Sequence, residues 1–297
     1  MNVSRAIIRC RQIRGGDLPD VQRLLAEGFP TRDPAEWDRV LHRFASYRGP
    51  VRLPRYGFFL LADERPVGLV LMISSARWVD GVERHTCNLS SWYVEPAFRG
   101  YAPRLIRAAT RDRSVTYVNV SPAPHTLRVV EALGFKAYNQ GSFLCLPVLS
   151  RSAGRVRVEP AHARADALPG SSEHDRELVA NHAALGCTAF WCVSDGRSYP
   201  FVFVRRQSVR GFLPCAQLVY CQNESDVVRC ARAIGVQLLR RGMAALAIDA
   251  PGPVSGLTGW YRPDQCRRYF RGPFRPRLGD IAFSEATLFG LAGKHSA

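Results

Sequence analysis

The sequence predicts an α/β protein, of the mixed α+β kind, built from two consecutive modules. The chain has 297 residues, and globular domains usually hold roughly 100–200 residues each. In the first half a strand and two helices precede a strand hairpin, after which strand and helix alternate twice. From Glu173 onward this order of elements begins again. We therefore expect modules at 1–150 and 151–297.

Composition places the chain among folded globular proteins, since 46% of its residues are hydrophobic and 22% are charged. It has no run of about 18 apolar residues, so we expect no membrane span. The first residues lack the apolar core of a signal peptide, which predicts a cytoplasmic protein. The nine cysteines form no C-x-x-C pair, which argues against a metal site and favours reduced core thiols.

The formal net charge is +16, and arginine carries nearly all of the positive charge. Such a balance favours an acidic partner, for example nucleic acid, an anionic polymer or the phosphates of a nucleotide cofactor. No run of five basic residues occurs, however, and the arginines are spread along the whole chain. A diffuse basic surface is the simpler interpretation, with nucleic acid kept as an alternative partner.

Hydrophobic periodicity and turn residues divide the first half into elements. The predicted strands lie at 7–13, 56–62, 67–74, 86–94 and 115–120, and the predicted helices at 17–28, 34–44, 105–109 and 127–133.

In the second half the predicted strands lie at 156–158, 188–193, 200–205, 216–221, 244–248 and 281–289, and the predicted helices at 178–185 and 223–240. Between them, Tyr261–Leu278 interleaves aromatic residues with arginines. This segment is either a long loop held to the sheet by its aromatic side chains or a binding surface for an anionic or saccharide acceptor.

The most informative stretch is the strand that ends at Val94 and the turn and helix that follow it. Pro96 stops the strand because it lacks an N–H for the ladder. Arg99 and Gly100 open a turn into a helix N-terminus, whose free N–H groups and dipole attract anions. The sequence therefore predicts an anion site at this junction.

The run from Val94 to Ala102 resembles the acyl-CoA signature of the GNAT acyltransferase superfamily. In that family a strand ending in Val-x-Pro leads into an Arg/Gln-x-x-Gly-x-Gly/Ala loop around the CoA pyrophosphate. The present chain departs from the second half of the motif. Ala102 stands at the first Gly position, Pro103 removes one N–H, and Arg104 stands where the family has Gly or Ala. Ala132-Leu133-Gly134-Phe135 resembles a second family motif, Lys-Leu-Gly-Phe.

The resemblance implies two tandem GNAT-like modules, each a mixed, mostly antiparallel sheet flanked by helices. The second module is then degenerate, because Glu224 and Asp226 stand where a pyrophosphate would lie. The implied cofactor is acetyl-CoA or another acyl-CoA, bound by the N-terminal module. Its expected ligands there are Trp92, Tyr93, Val94, Arg99, Gly100, Tyr101, Ala102, Pro103 and Arg104.

Acyl transfer requires a base for the acceptor and a proton for the departing thiolate. At the two helix positions where the family usually has Tyr and Asn, this chain has Val130 and Ala123. His125 could carry the proton instead, or it could be a surface residue at the helix start; two alternatives are Tyr117 and Asn119. For the base we expect Glu83, which could otherwise be a hairpin charge, with His85, Ser90 and Ser91 nearby. The catalytic candidates are Glu83, His125 and Ser91.

Three functions follow from these expectations. The first is an acyl-CoA-dependent N- or O-acyltransferase acting on a small-molecule or saccharide acceptor. The second is a catalytically inactive protein that binds acyl-CoA or another phosphate ligand. The third is an aminoacyl-tRNA-dependent transferase, which would explain the basic charge but does not need the Val-x-Pro-x-x-Arg-Gly loop.

Overall fold

A computed structural model of the chain describes residues 6–47, 49–79, 81–151, 154–209 and 213–290. These residues form two compact units. Unit 1 takes in the chain up to Tyr138 together with Arg268–Pro276 and Phe283–Phe289, and unit 2 takes in Asn139–Arg267 with Arg277–Ala282. The module limits at 1–150 and 151–297 stay a prediction.

The helices and strands in chain order are β1 (Ile8–Gln12), α1 (Leu18–Gly28), α2 (Pro34–Ser46), β2 (Gly57–Ala62), β3 (Arg65–Val79), β4 (Val82–Val94), α3 (Ala102–Ala109), β5 (Val115–Asn119), α4 (Leu127–Ala132), β6 (Lys136–Cys145), β7 (Arg157–Pro160), α5 (Glu173–Ala184), β8 (Thr188–Ser194), β9 (Arg197–Val209), β10 (Leu213–Cys221), α6 (Glu224–Arg229), α7 (Ala231–Leu239), β11 (Ala245–Asp249), β12 (Gly259–Arg271) and α8 (Glu285–Leu288).

The sheet of unit 1 has the strand order β1-β2-β3-β4-β5, followed by the end of β12. Neighbouring strands are antiparallel except for β4 and β5, which are parallel. The end of β12 pairs Tyr269–Arg271 with Tyr117–Asn119 of β5. A sheet that is mixed and mostly antiparallel, as expected, therefore supports this unit.

Helices cover both faces of that sheet. On one face, alternate apolar residues of β2 to β5 form a core with Leu105, Ile106 and Ala109 of α3 and Val130 of α4. On the other face lie α1 and α2, whose apolar stripes bury Val21, Leu24, Leu25, Trp37, Val40, Leu41 and Phe44. Asp33 caps α2 by accepting from the Ala35 N–H at 2.9 Å.

Unit 2 repeats the same succession of strand directions. Its strand order is β7-β8-β9-β10-β11-β6, in which β10 and β11 are parallel and the other neighbours antiparallel. Its core packs apolar residues of β8 to β11 against α6 and α7. The repeat of element order that the sequence indicates is thus matched by a repeat of strand directions.

Most predicted elements are confirmed, but three predictions are wrong. Residues 285–288, inside the strand predicted at 281–289, form α8 instead, because Ser284 caps a helical turn through the Ala286 N–H. The segment Tyr261–Leu278 is not all loop, since its first part belongs to β12. The long helix at 223–240 is interrupted at Cys230. Sequence patterns assigned no element to 136–145, where β6 lies.

Of the nine cysteines, six are buried and three are half-buried. Within the described ranges, no group of His, Cys, Asp or Glu side chains is arranged to hold a metal ion. None of the helices in those ranges combines the length and the apolar character that crossing a bilayer requires.

Candidate functional site

The predicted strand, turn and helix around Val94 are present in unit 1. A 3₁₀ turn over Pro96–Tyr101 connects β4 to α3. The carboxylate of Glu95, at the end of the strand, accepts two hydrogen bonds of 2.6 and 2.8 Å from Arg65. This bidentate pair holds the turn against the start of β3.

A β-bulge interrupts β4 shortly before this turn. Ser90 is opposite Leu71 and Tyr93 is opposite Leu69, so two residues of β4 face one residue of β3. Ser91 takes a positive φ of 48°. The bulge changes which residues face the α3 core. Cys87 and Leu89 face it before the bulge, and Trp92 and Val94 face it afterwards.

The bulge lies where β4 loses its second neighbour. The parallel pairing of β4 with β5 covers only His85–Asn88 against Val115–Val118. In the described part of the chain, residues 89–94 pair with β3 on one side and with no strand on the other. Backbone groups therefore face an opening between β4 and β5, where they are free to bind a ligand.

Basic side chains stand beside the end of this opening. Arg99 and Arg104 are exposed, and among the described residues neither has an acidic side chain within 4 Å. A Cβ added to Gly100 would meet no atom within 4 Å, so a ligand can approach its backbone closely. The Ala102 N–H is already bonded to the Arg99 carbonyl. Charge from the two arginines therefore contributes more to an anion site here than free backbone donors do.

The remaining predicted CoA ligands line this region from two sides. Trp92 packs against the α3 core, and its buried indole Nε1 lacks a hydrogen-bond partner within the described residues. Tyr93 lies on the opposite face, where its ring covers Gly28 of α1. Burial raises the pKa of the Tyr93 phenol. Tyr101 is 45% exposed, and Pro103 lies in the first turn of α3.

The structure does not bring the three catalytic candidates together. The Glu83 carboxylate lies 3.4 Å from the Nε2 atom of His85, just before the part of β4 that pairs with β5. Because a strand rises about 3.3 Å per residue, Glu83 is roughly 26 Å from Ser91 along β4. Ser91 lies in the bulge, with its Oγ 3.3 Å from that of Ser90. His125 is exposed in the turn before α4.

The alternative proton donors, Tyr117 and Asn119, lie on the α3 side of the sheet. Val130 occupies the core, where it has no proton to offer. Tyr117 belongs to the same core, and burial raises the pKa of its phenol, which keeps it protonated at neutral pH. Asn119 is half-buried and lies opposite Tyr269 in the β5–β12 pair.

A carboxylate that sequence reasoning missed lies at the opening. Glu285 of α8 is 4% exposed and accepts short hydrogen bonds from Asn88 Nδ2 on one oxygen and from Ser121 Oγ on the other. Asn88 is the last residue of β4 that pairs with β5. The signal in the sequence was an acidic residue directly after Ser284 in an apolar run, which is typical of a capped helix start.

The corresponding strand–helix junction of unit 2 is acidic. Asp226 accepts from the Asn223 N–H at 2.9 Å and caps α6. Burial, and then the charge of Asp249, raise the pKa of Glu224. Negative charge of this kind disfavours a phosphate ligand.

A separate cavity of about 370 Å³ lies in unit 1 and is lined by Arg107, Ala132, Leu133, Gly134 and Arg271. It lies at the C-terminal ends of α3 and α4, where the helix dipoles are negative. The two arginines make it basic, yet it is away from the turn that the anion-site prediction concerns.

Comparison with known proteins was made at the levels of sequence and structure. No protein-family model matches the chain, and no curated protein does. Solved structures do match. A GCN5-related N-acetyltransferase from Anabaena variabilis has a TM-score of 0.56 at 11% identity, covering 89% of this chain and 72% of that one. One from Kribbella flavida also has a TM-score of 0.56, at 16% identity, covering 91% and 72%.

A third match is the GCN5-related glucosamine N-acetyltransferase region of a fungal multi-domain β-N-acetylglucosaminidase, with a TM-score of 0.53 and 12% identity. It covers 91% of this chain and 38% of the fungal chain. These likenesses show that the chain has the fold of the GCN5-related N-acetyltransferases, as the Val-x-Pro motif and the element order indicated.

Proposed function

We propose that this protein is an acyl-CoA-dependent N- or O-acyltransferase that transfers an acetyl group to a small amine or hydroxyl. The observation that carries the proposal is the opening between β4 and β5, which begins after Asn88. It leads to the turn before α3, where Arg99 and Arg104 have no acidic partner within the described residues. An extended ligand with a diphosphate at one end fits this arrangement.

In this proposal unit 1 binds acetyl-CoA. The guanidinium groups of Arg99 and Arg104 pair with the phosphates, and Gly100 lets the backbone approach them closely. The segment from Trp92 to Val94 lies beside the acyl-bearing arm, and Tyr101 to Pro103 begin the helix under the diphosphate.

The reaction forms a bond from the acceptor N or O to the acyl carbon and breaks the bond from that carbon to sulfur. Backbone N–H groups of β4 that face the opening are placed to stabilise the developing oxyanion. The acceptor loses a proton and the CoA thiolate gains one. His125 and Tyr117 are the candidates for the second transfer, because Val130 cannot serve.

The presence of Val130 in the core also supports a second candidate function, a catalytically inactive protein that binds acyl-CoA. The two functions share the cofactor site and differ in turnover alone. Formation of free CoA in the presence of an acceptor distinguishes them.

We further propose that unit 2 is a degenerate second module that does not bind CoA, because its junction carries Glu224 and Asp226. The saccharide acceptor of the fungal match makes amino sugars sensible first substrates. The protein is proposed to act in the cytoplasm.

The test is isothermal titration calorimetry with acetyl-CoA and with free CoA on the wild type and on Arg99→Ala. One charge-assisted phosphate contact is worth about 1.5–3 kcal/mol, so Kd should rise about 10- to 100-fold. The matched control is Arg39→Ala, which removes an exposed arginine from α2 on the opposite face of the sheet. Its Kd should equal that of the wild type.

Absence of binding to the wild type would overturn the proposed function altogether. Equal affinities of wild type and Arg99→Ala would instead remove the phosphate site from this turn while leaving acetyl-CoA binding intact. Equal losses in both variants would point to a general charge effect, which would also contradict the site.

A further inference from the structure

A segment distant in sequence supplies a buried acid to the opening in unit 1. Residues 283–289 pack against α2, where the Phe289 ring lies 5.4 Å from that of Phe44 in an edge arrangement. The ring centroids of Phe283 and Tyr47 are 6.3 Å apart. Ser284 caps the helical turn that begins with Glu285. These contacts hold the segment that carries Glu285 against α2.

Glu285 spans the point where β4 and β5 separate. One carboxylate oxygen accepts from Asn88, the last paired residue of β4, and the other accepts from Ser121, two residues after β5 ends. Asn88 is fully buried and Ser121 is half-buried. Glu285 itself is 4% exposed, so the acid is almost enclosed at the point where the two strands separate.

Within the described residues, this carboxylate forms no ion pair with a basic side chain. Its two donors are a neutral amide and a neutral hydroxyl, and no basic group of the described chain lies within 4 Å of it. Burial of a carboxylate without a cation is costly, because its hydration is lost and nothing of opposite charge replaces it. A ligand that brings an ammonium group would remove this cost.

Glu285 reaches the opening from the face opposite α3. Cys87 and Leu89 point into the core that contains α3, and Asn88 between them points to the other face. The proposed phosphate-binding arginines, by contrast, lie at the start of α3. An acceptor beside Glu285 and an acyl-CoA beside α3 would therefore meet in the opening from its two sides.

We propose that the acceptor is a primary amine and that Glu285 binds its ammonium group and then takes a proton from it. This inference rests on the proposed function and adds its substrate class and its base. The carboxylate accepts one proton from the ammonium and leaves a neutral amine with a free electron pair. That pair forms the C–N bond, the C–S bond breaks, and the CoA sulfur leaves with its electrons and takes up the second proton that the nitrogen then loses.

The proposal replaces Glu83 as the base. Glu83 is five residues before Asn88, about 16 Å along β4, and lies just beyond the far end of the segment His85–Asn88 that pairs with β5. Its carboxylate lies beside the His85 imidazole. Glu285 is the acid that touches the residues at the opening.

The experiment compares wild type, Glu285→Gln and the control Glu64→Gln, whose side chain is 71% exposed in a surface ion pair. Acetyl-CoA affinity is measured by calorimetry. Free CoA is then quantified by chromatography with glucosamine, spermidine or glucose as acceptor and with water alone, from pH 6 to 9. Loss of a general base lowers rates by about 10²- to 10⁴-fold.

We expect Glu285→Gln to bind acetyl-CoA within about 2-fold of wild type, since no CoA ligand is removed. Its rate of transfer to the amines should fall by about 10²- to 10⁴-fold. Its rate should also lose the wild type's pH profile, and the control should keep both. Transfer to glucose at the rate of glucosamine would overturn the amine class. An amine rate in Glu285→Gln close to wild type would overturn the role of Glu285.

Two further outcomes separate this inference from the proposed function. A wild type that fails to bind acetyl-CoA contradicts both. A wild type that binds acetyl-CoA but transfers the acetyl group to neither amines nor water keeps the binding site and contradicts a base at Glu285. If Glu285→Gln does not fold, the same measurements on Glu285→Asp test the role of Glu285, because this variant retracts the carboxylate by one methylene. It should keep acetyl-CoA binding and lose about 10²-fold in rate, and an unchanged rate would contradict the proposal.

Discussion

At the scale of single residues, hydrogen-bonded carboxylates set the local structure of unit 1. Asp17 is the clearest case: it accepts from the Arg11 guanidinium at 2.6 and 3.0 Å and from the Arg14 N–H at 2.7 Å. The Arg11 pair is the largest of the effects that hold the pKa of Asp17 below its ordinary value. The charged form of Asp17 is therefore favoured by folding.

This pKa shift predicts a pH-dependent contribution to stability. A folded-state pKa below that of the unfolded chain, about 3.9 for aspartate, stabilises the protein above that pH. The contribution is lost as the pH falls through the lower, folded-state pKa. Urea unfolding of wild type and Asp17→Asn should therefore show a stability difference at pH 6 that shrinks below about pH 4.

The control for this measurement is Asp166→Asn. Asp166 and its partner Arg164 have side chains that are 72% and 89% exposed, and exposed pairs contribute little. This variant should unfold like wild type throughout the pH range. A difference for Asp17→Asn that stays constant with pH would contradict the assigned cause.

At the scale of elements, close packing between α1 and β4 holds the bulged part of the strand in place. The ring of Tyr93 lies so near Gly28 that a Cβ built on the glycine would be 2.4 Å from Tyr93 Cγ. The backbone of Gly28 is not in the left-handed region, so it is the space, and not the φ angle, that requires glycine. The contact ties the end of α1 to the candidate site.

We expect Gly28→Ala to destabilise the protein by about 1–3 kcal/mol, because overpacking forces the ring or the helix to move. Chemical denaturation measures the change. Gly16→Ala is the matched control, since a Cβ there would meet nothing within 4 Å. That variant should be as stable as wild type or slightly more so. Equal stability of Gly28→Ala and wild type would show that Tyr93 does not pack against α1 as described.

The sequence also predicted some elements better than others. The hairpin between β2 and β3 turns at Asp63 and Glu64, both with positive φ, and the turn residues predicted it. In contrast, β12 reads as a basic loop because Arg262, Arg267 and Arg268 interrupt its apolar alternation. Arg268 is nevertheless 5% exposed and donates to the Val120 carbonyl at 2.5 Å. A strand of this composition depends on partners that are distant in sequence.

At the scale of the whole molecule, each unit has its own apolar core, and thiols are distributed through both cores. Burial raises the pKa of Cys87, Cys145 and Cys221 to about 12 and that of Cys215 to about 11. Since the thiolate is the reactive form, these groups should be inert in the folded protein.

Alkylation with iodoacetamide at pH 7.5, followed by mass spectrometry, tests this distribution. The half-buried Cys187 and Cys266 should react first and Cys10 more slowly, because burial raises the pKa of Cys10 as well. The six buried cysteines should react after denaturation. Rapid labelling of Cys87 in the native state would show that the core of unit 1 opens, and labelling of Cys215 would show the same for unit 2.

Local patterns in the sequence determined a large part of this description. Apolar spacing marked α1 and α2, Pro96 marked the end of β4, and the run from Val94 to Ala102 predicted an anion site at the start of α3. Such patterns carry this information because burial and backbone conformation act on residues close together in the chain.

The tertiary structure alone decided how the opening is completed. Asn88 and Glu285 are separated by 197 residues, and Thr116 and Phe274 by 158. Hydrophobic periodicity does not predict which distant strand pairs with β5 or which acid bonds to Asn88, because these pairings depend on the packing of the folded chain. The sequence by itself therefore determined the strand, turn and helix at which we propose that the cofactor binds, and the tertiary structure determined the position of Glu285.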